Sequence, residues 1–382
     1  MISAVIERRV KDLIHGESEV YVDDLMGGSA LDELEHDLAI ARKVCTDLLG
    51  PNAVADDKTM SGRFIDFIGW EFNLDLKTVT IARRNFMKTL YGMIRVRCSS
   101  QQPTVKEVQT VASWASRYSL ICRALKPFSV DLYDVIRGYK CQSARVELGV
   151  RQRRALDLWI GTLAMLEFGP QNFARPIETV IRRSNQLLIE YDASLYGLGI
   201  ILSELDQEGA ECGVEREPRF MRAIKIPLPF DLGDDSGYQN TSEFLAVVMG
   251  LACIAQLGYR GVGVRVKGDN TTSLSWSTSE RFRSQKSKGC AIHFMAIATQ
   301  WDIVVTEGIH IEGHRNNTCD GLSRDVSLEE SGFKEAQVFH WENHPALVLL
   351  LGACDPTVDP ESGKLLKCWV DSVDLVGQLG TR

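Results

Sequence analysis

The sequence predicts a protein of mixed α+β and α/β class, built from three regions of different character. Two short strands meet at a pair of acidic residues near the start, helical spacing dominates the middle, and strands alternate with helices from Asn185 onward. With 382 residues and 45% apolar content, the chain is long enough for two or three domains with ordinary cores. We therefore expect a globular protein with several domains.

The first region contains the tetrapeptide Tyr21-Val22-Asp23-Asp24. Apolar residues on either side of the acids predict two short strands, with the carboxylates at the tip of a hairpin. Carboxylates placed in this way can hold Mg²⁺, so Asp23 and Asp24 are candidate metal ligands. An ordinary acidic turn in contact with solvent is the alternative interpretation, because four residues are a short motif.

The features that follow this tetrapeptide resemble, in their order, those of the reverse transcriptases of retroelements. In that family the hairpin precedes a helix, a turn with glycine, a lysine and a Phe-Leu-Gly segment near the primer end. This sequence has a predicted helix over residues 31–49, then Gly50, Lys58 and the segment 67–70. The resemblance implies that Lys58 is a catalytic residue that protonates the departing pyrophosphate, with a solvated loop lysine as the alternative. It also implies three contacts to nucleic acid, from Phe67, Gly69 and Trp70.

Residues 1–80 are therefore identified as part of a reverse transcriptase palm, of α+β type. Strands are predicted over residues 63–72 and 78–81, and an amphipathic helix over residues 1–11. The family needs a further metal-binding Asp on an earlier palm strand, and no such strand precedes Tyr21. We expect a truncated palm that does not extend a primer on its own, unless a separate chain supplies the upstream half.

Residues 81–183 form the second predicted region, which is helical and basic. Apolar residues recur at helical spacing over residues 105–119 and 155–166. The region carries 18 basic and 7 acidic side chains, whereas residues 1–80 carry 8 and 16. In the resembling family it corresponds to the thumb and connection, which grip the template-primer duplex. Contacts to phosphate are expected from the basic residues at its start, unless these form only a solvated surface: Arg83, Arg84, Lys88, Arg95 and Arg97.

Residues 184–326 are predicted to alternate strands and helices. The predicted strands cover residues 187–202 with a turn inside, 219–227, 262–266 and 303–311. The predicted helices cover residues 241–257, 290–299 and 317–324, with a short helix after Asp269. Gly197 and Gly199 lack the third glycine of a dinucleotide-binding motif, so we interpret them as part of a hairpin. The alternation predicts a mixed sheet flanked by helices.

Four acidic residues occupy the ends or starts of these elements: Asp192, Glu243, Asp269 and Asp320. Reactive groups in open α/β sheets lie where strands end, and a buried carboxylate is unfavourable unless it is paired or coordinated. Two divalent ions that cut a phosphodiester need about this many acids. Each acid alone is more simply explained as a solvated side chain, but that explanation is much weaker for the set.

The order of these acids resembles that of ribonuclease H as found downstream of the polymerase in retroelement polyproteins. That family has Asp in the first strand, Glu in the first helix, Asp at the end of the fourth strand and Asp in the last helix. The resemblance implies that Asp192, Glu243, Asp269 and Asp320 are catalytic and hold two Mg²⁺ or Mn²⁺ ions. It also implies that His314 assists product release, with a surface histidine as the alternative. An integrase-type nuclease would have its Glu later in the chain, so the position of Glu243 favours ribonuclease H.

Cysteine and membrane patterns limit the other classes of function. Ten cysteines without a CxxC pair predict reduced thiols. No apolar stretch reaches membrane-spanning length, and residues 1–11 lack the apolar centre of a signal peptide. We therefore expect no membrane partner and an intracellular location, in the cytoplasm, the nucleus or both. A zinc site is conceivable, but its spacing matches no usual ligand set: Cys290, His293, His310, His314 and Cys319.

The function predicted from these patterns is metal-dependent hydrolysis of the RNA strand in RNA·DNA hybrids by a fragment of a retrotransposon polyprotein. The expected partner is an RNA·DNA hybrid or a template-primer duplex, and the lineage is of long-terminal-repeat or DIRS-like type. Two alternatives stay open: a catalytically silent remnant that binds nucleic acid, and a relic chain that folds poorly. The sequence assigns no role to the tail, residues 327–382, and predicts no oligomeric state.

Overall fold

The computed structural model divides the chain into two compact units, Met1–Ala82 and Arg83–Arg382. It describes residues 2–21, 24–55, 59–168, 174–177, 184–205, 217–230, 236–282, 284, 286–324 and 326–357. Several sheets and helices occur in this part of the chain, which confirms the predicted mixed class. The predicted domain boundaries after residues 80, 183 and 326 stay predictions. Within the described residues, no helix combines the length and the apolar character needed to cross a membrane.

The described residues of the first unit form two helices and five short strands. Helix α1 (Ile2–Lys11) precedes strands β1 (Glu17–Tyr21) and β2 (Asp24–Gly28), which pair antiparallel as predicted for a hairpin. Helix α2 (Leu34–Leu49) packs against α1, and residues of both helices form a small apolar core. The remaining strands of the unit are β3 (Phe64–Phe67), β4 (Trp70–Asn73) and β5 (Thr78–Ile81).

A tight turn divides the strand that was predicted over residues 63–72. Strands β3 and β4 pair antiparallel across Ile68 and Gly69, and β4 pairs with β5. Both turn residues have positive φ, 42° for Ile68 and 85° for Gly69, as expected for a two-residue hairpin turn. A β-branched residue rarely adopts this conformation. The prediction of one strand was therefore wrong, because Ile68 does not indicate the turn that Gly69 permits.

The second unit begins with a helical segment, as predicted. Helix α4 begins where the sequence indicates, because Thr104 and Glu107 form a capping box in which each side chain binds the backbone N–H of the other residue. Several of the apolar residues at helical spacing, such as Trp159 and Leu163, are buried. The elements of the segment are α3 (Arg83–Cys98), α4 (Val105–Tyr118), α5 (Lys126–Asp134), α6 (Val150–Phe168) and the two-residue strand β6 (Arg175–Pro176).

The rest of the second unit is built on a five-stranded mixed sheet. Its strands are β7 (Asn185–Ala193), β8 (Gly197–Glu204), β9 (Arg219–Pro227), β10 (Gly263–Gly268) and β11 (Val304–His310). In the sheet their order is β11-β10-β7-β8-β9. Strands β7, β8 and β9 are antiparallel neighbours, whereas β10 runs parallel to both β7 and β11. The predicted mixed sheet is confirmed, and the carboxyl ends of β7 and β10 lie side by side.

Four helices accompany this sheet: α7 (Ser236–Gln256), α8 (Thr271–Ser279), α9 (Lys288–Gln300) and α10 (Asn317–Ser323). Helix α7 is the central helix of the core and is buried along most of its length. The sequence predicted that this helix starts at Thr241, but it starts at Ser236. Glu243 therefore lies inside the helix and does not open it. The hydroxyls of Thr241 and Ser242 therefore do not cap the start of the helix, and they donate to carbonyls four residues earlier, at 2.9 and 3.1 Å.

Helix α10 lies unusually close to strand β8, at Gly199. A Cβ atom at this position would collide with the carbonyl oxygen of Cys319 and would lie 2.8 Å from Leu322 Cβ. Only glycine allows the helix to approach the sheet in this way. Gly197 and Gly199 therefore lie in a strand of the β7–β8 hairpin, as predicted.

Part of the predicted tail packs onto the same core. Helix α11 (Pro345–Ala353) buries Leu347 and Leu350 in the apolar cluster that contains α7 and α9. Before it, the backbone N–H of Phe339 donates to the carbonyl of Ala223 on β9 at 3.0 Å. Residues 338–354 thus extend the sheet part of the unit and contact its outer strand β9.

Largely buried charges join the helical segment to the sheet part, and we call them the junction cluster: Arg123, Lys126, Asp131, Glu280 and Lys288. Glu280 accepts hydrogen bonds from Arg123 Nη2 at 2.6 Å and from Lys126 Nζ at 2.7 Å. Lys288 Nζ lies 3.0 Å from Asp131 Oδ2. The partners in these pairs are 154 to 157 positions apart in the sequence. The helical segment and the sheet part are therefore joined by ion pairs.

Candidate active site

Three carboxylates from three different elements converge at one edge of the five-stranded sheet. Asp192 lies near the end of β7, Asp269 directly follows β10, and Glu243 projects from α7. One oxygen atom of each carboxylate lies within 4.8 Å of the others. Because β7 and β10 are parallel neighbours, residues at their carboxyl ends meet at the same edge. We call these three residues the carboxylate cluster.

Burial dominates the electrostatics of the carboxylate cluster. Asp192 and Glu243 are 4% and 3% exposed. Burial raises the pKa of Asp192 to about 6, opposed by a hydrogen bond from Ser323 and helped by the charges of Asp269 and Asp320. Burial, together with the charges of Asp192 and Asp269, also raises the pKa of Glu243 well above its ordinary value. Both carboxyl groups therefore hold their protons more tightly than they would in water.

Hydrogen bonds hold two of the three carboxylates in place. The Ser323 hydroxyl donates to Asp192 Oδ2 at 2.7 Å. Asn316 Nδ2 donates to the carbonyl of Tyr191 at 2.9 Å and lies 3.4 Å from Asp192 Oδ1. On the other side, Gln239 Nε2 donates to the Ala193 carbonyl at 2.7 Å and to Glu243 Oε1 at 3.3 Å. The orientation of the carboxylates is thus fixed by side chains from α7 and from the two ends of α10.

The carboxylate cluster fits a hard divalent cation. Among the residues that the structure describes, none donates a hydrogen bond to Glu243 Oε2, although this oxygen is buried. A buried carboxylate oxygen without a partner is unfavourable unless something else binds it. Ligand sets made only of carboxylate oxygens are typical of Mg²⁺ and Mn²⁺. Asp192, Glu243 and Asp269 could therefore hold such an ion.

Asp320, the fourth predicted ligand, is not part of the group whose carboxylate oxygens all lie within 4.8 Å of one another. Its Oδ1 accepts hydrogen bonds from the guanidinium of Arg324, at 2.8 Å from both Nε and Nη2. Its charge still acts on Asp192, whose pKa it helps to raise. His314 is exposed, and its Nε2 lies 3.3 Å from Glu312 Oε2. The predicted roles of Asp320 and His314 stay predictions.

The five predicted contacts to phosphate all lie on α3, on more than one face. Arg84, Lys88 and Arg95 are exposed and share one face, since they are separated by four and seven residues. Arg97 lies on a different face, where its guanidinium binds both carboxylate oxygens of Asp157, at 2.8 and 3.1 Å. The fifth residue, exposed at the start of the helix, is Arg83. Binding of nucleic acid by these residues stays a prediction.

The predicted site residues of the first unit are only partly described. Asp23 and Lys58 lie outside the described residues, and so does the side chain of Asp24, whose backbone lies opposite Tyr21 in the hairpin. Gly69 lies in the turn between β3 and β4. Trp70 is buried and Phe67 is half-buried. The functions predicted for these positions stay predictions.

Sequence reasoning missed the residues that orient the carboxylates. Ser323, Asn316 and Gln239 are polar residues at or near helix ends, where caps and solvent contacts are the usual explanation. One signal could have found two of them. Ser323 lies three positions after Asp320, and Gln239 lies four positions before Glu243, so each shares a helix face with a predicted ligand.

No protein-family model matches the sequence, and no curated protein matches it. Among solved structures, a foamy viral protease-reverse transcriptase in complex with double-stranded DNA matches with 13% identity and a TM-score of 0.34, over 81% of this chain and 49% of that chain. A foamy viral protease-reverse transcriptase in complex with an RNA/DNA hybrid matches with 14% identity and a TM-score of 0.34, over 80% of this chain and 37% of that chain. LC11-RNase H1, isolated from compost by a metagenomic approach, matches with 17% identity and a TM-score of 0.26, over 36% of this chain and 93% of that chain.

This chain spans about half or less of the length of these two viral proteins. The fold class follows from the chain itself: a mixed five-stranded sheet flanked by helices, with acidic residues at the carboxyl ends of adjacent parallel strands.

Proposed function

We propose that this chain hydrolyses the RNA strand of RNA·DNA hybrids with divalent metal ions, and that it derives from a retroelement polyprotein. The convergence of Asp192, Glu243 and Asp269 within 4.8 Å carries the proposal. Buried carboxylates of like charge are unfavourable in a fold unless a cation binds them. The retroelement origin is supported by the order along the chain of the 21–24 tetrapeptide, the basic helical segment and the carboxylate cluster.

Each residue of the site has a distinct part in this proposal. Two divalent ions, when bound, would activate a water molecule and stabilise the leaving oxygen of the phosphodiester. The carboxylate cluster would bind them, and Asp320 would contribute once its carboxylate leaves Arg324. Ser323 and Gln239 keep ligand oxygens oriented before the substrate arrives, so little rearrangement is needed on binding.

The exposed basic face of α3, formed by Arg84, Lys88 and Arg95, is proposed to bind the phosphate backbone of the hybrid. Lysine and arginine supply most of the affinity for nucleic acid by displacing its counterions, so hybrid binding should weaken as salt rises. Trp114 of α4 lies beside this face, with its ring 5.9 Å from Lys88 Nζ. Aromatic and basic side chains together are typical of surfaces that bind nucleic acid.

Incubation of the purified chain with a labelled RNA·DNA hybrid tests the proposed activity. In the presence of Mg²⁺ or Mn²⁺ we expect the RNA strand to be cut and the DNA strand to stay intact, and excess chelator should stop the reaction. Double-stranded DNA and single-stranded RNA of the same sequence are the matched control substrates. Cutting that continues in chelator would contradict the metal-dependent mechanism.

Two further measurements on the same protein, hybrid binding and unfolding, separate the alternatives. Salt-sensitive binding of the hybrid without any cutting would favour a catalytically silent nucleic-acid-binding remnant. Failure to show a cooperative unfolding transition would favour a poorly folded relic. A poorly folded relic does not explain why three acids from distant parts of the sequence meet at one edge of the sheet.

A further inference from the structure

A second group of metal-ligating side chains lies in the first unit, away from the carboxylate cluster. His15 is in the segment between α1 and β1, and His36 and Asp37 are in the first turn of α2. One ligand atom of each lies within 4.8 Å of the others. Two imidazoles and a carboxylate differ in kind from the all-carboxylate cluster, because imidazole nitrogen favours zinc and other transition metals.

Asp37 is held in one orientation by the chain around it. It is 4% exposed, and its Oδ2 accepts hydrogen bonds from the Ser29 hydroxyl at 2.5 Å and from the backbone N–H of Gly16 at 2.9 Å. Its Oδ1 accepts the backbone N–H of His15 at 3.1 Å. The bond from Ser29, together with these backbone bonds, lowers the pKa of Asp37 to about 2. Asp37 is therefore a fixed anion at every physiological pH.

The two histidines lie close enough to Asp37 to bind the same cation. His15 Nδ1 lies 3.3 Å from Asp37 Oδ1, and the two imidazole rings have their centres 5.5 Å apart. Ligand atoms in a tetrahedral zinc site lie about 3.3 Å apart, as follows from bonds of about 2.0 Å. The His15–Asp37 separation already has this value. Both imidazoles are exposed, so rotation about their side-chain bonds can bring His36 to the same distance.

We propose that His15, His36 and Asp37 bind one divalent transition-metal ion of the zinc class, with the fourth position open to water or another ligand. The surrounding charge favours a cation, because residues 1–80 carry 16 acidic and only 8 basic side chains. The ion would join the segment before β1 to helix α2, two parts of the unit that are 21 positions apart in the sequence. It would therefore stabilise the elements that flank the 21–24 hairpin.

A structural role for Asp37 alone is the competing explanation. Asp37 could serve only to bind the backbone of the loop before β1, and its hydrogen bonds would then be the same. That explanation does not require two histidines beside it. It predicts that His15 and His36 can be replaced without any change in metal binding.

Titration of the full-length protein with Zn²⁺ in excess Mg²⁺ tests the proposal, followed by isothermal calorimetry and by the visible spectrum of the Co²⁺-substituted protein. We expect one Zn²⁺ per chain, a Co²⁺ absorption typical of four-coordinate geometry, and a higher thermal unfolding midpoint with Zn²⁺. His15→Gln and His36→Gln should each weaken Zn²⁺ binding by tenfold or more and remove the thermal shift.

Two further variants distinguish this site from others on the molecule. His314→Gln replaces an exposed histidine of the second unit and should leave Zn²⁺ binding unchanged. Asp192→Asn alters the carboxylate cluster and should also leave it unchanged, which shows that the ion is not bound there. Zn²⁺ binding that is equal in the parent, His15→Gln and His36→Gln proteins, or no stoichiometric binding by the parent, would overturn the proposal. If the histidine variants prove unstable without metal, the Co²⁺ spectrum of the parent still decides it, because six-coordinate geometry or the charge-transfer bands of a thiolate ligand would contradict the proposed ligands.

Discussion

Two sets of buried charges in the second unit, the carboxylate cluster and the junction cluster, have opposite composition. In the carboxylate cluster, Asp192 and Glu243 are buried beside a third acid of the same sign. In the junction cluster, Glu280 is bound by both Arg123 and Lys126, and Lys288 is bound to Asp131. Burial of charge alone therefore does not mark a functional site. Burial without a partner of opposite charge does, because such a group is stable only when it binds something else.

The pKa values of Glu280 and Asp192 express the same contrast. Burial by itself would raise the pKa of Glu280, but Arg123 and Lys126 together lower it to about 2. Burial raises the pKa of Asp192 to about 6, and the hydrogen bond from Ser323 does not offset it. One carboxylate is thus already neutralised by cations of the chain, and the other still lacks one.

Replacement of Asp192 by Asn should have the largest effect on function. We expect hydrolysis of the hybrid to fall by about 10³-fold or more, since a neutral amide binds Mg²⁺ poorly. The metal-free variant should be at least as stable as the parent, because it buries one charge fewer. Asp47→Asn, at an exposed acid away from the site, is the matched control. Full activity in Asp192→Asn would mean that the carboxylate cluster is not the catalytic site.

Replacement of Lys288 by Met should act mainly on stability, whereas replacement of Asp192 acts mainly on hydrolysis. It leaves the Asp131 carboxylate buried without its cation, which is expected to lower the free energy of unfolding by about 3–5 kcal/mol. The double variant Lys288→Met/Asp131→Leu should regain most of this loss. Chemical denaturation measures both, with the exposed Lys334→Met as control. If the single and double variants are equally unstable, packing rather than charge explains the effect.

The contribution of Asp192 to the stability of the metal-free protein should fall as the pH rises from about 4 to above 6. The pKa of Asp192 is raised from 3.8 to about 6, so the folded state binds its proton more tightly than the unfolded state in this range. The stabilisation is complete below the unfolded pKa and is lost through the folded one, with an upper limit of about 3 kcal/mol. The free energy of unfolding of the parent, compared with Asp192→Asn at each pH, isolates this contribution.

Addition of Mg²⁺ is the control for the pH series. A bound cation should flatten the decline in the parent, because it replaces the proton as the partner of the carboxylate. A stability difference between the two proteins that does not change with pH would contradict the raised pKa of Asp192.

Replacement of Ser323 by Ala should weaken the site without removing a ligand. Loss of the hydrogen bond to Asp192 Oδ2 frees the carboxylate to rotate, and we expect Mg²⁺ to bind about tenfold more weakly. The Mg²⁺ concentration for half-maximal cutting measures this effect. Ser279→Ala, at a hydroxyl that donates within its own helix, is the control. Unchanged Mg²⁺ dependence in Ser323→Ala would show that this hydrogen bond has only a structural role.

The smallest effect is expected on the surface of α3, where the contrast between paired and exposed charges recurs. Lys88→Gln should weaken hybrid binding a few-fold and reduce its salt dependence by about one counterion. Arg97→Gln should leave hybrid binding nearly unchanged, because Arg97 is already bound to Asp157. Binding measured over a series of salt concentrations compares the two. Equal losses in both variants would contradict the assignment of the binding face.

The sequence predicted the strands, the helices and the acids at their ends because these features have local signals. Asp192 and Asp269 follow runs of apolar strand residues, and β9 lies at the predicted residues 219–227. The junction cluster could not be predicted, because its partners are 154 to 157 positions apart and each residue alone resembles a solvated charge. The turn at Ile68 was missed because its conformation contradicts the usual preference of its residue type.

The geometry of the carboxylate cluster depends on the close approach of α10 to Gly199, where a hydrogen atom takes the place of a side chain. Asn316 and Ser323, which both bind Asp192, lie at the two ends of α10. They can reach Asp192 only because β8 has no side chain at position 199, where α10 approaches the sheet. A methyl group there would push the helix outward and carry Ser323 away from Asp192 without touching any acid. Position 199 is thus a structural support of the site, and a substitution there should weaken metal binding while leaving every charged residue in the chain unchanged.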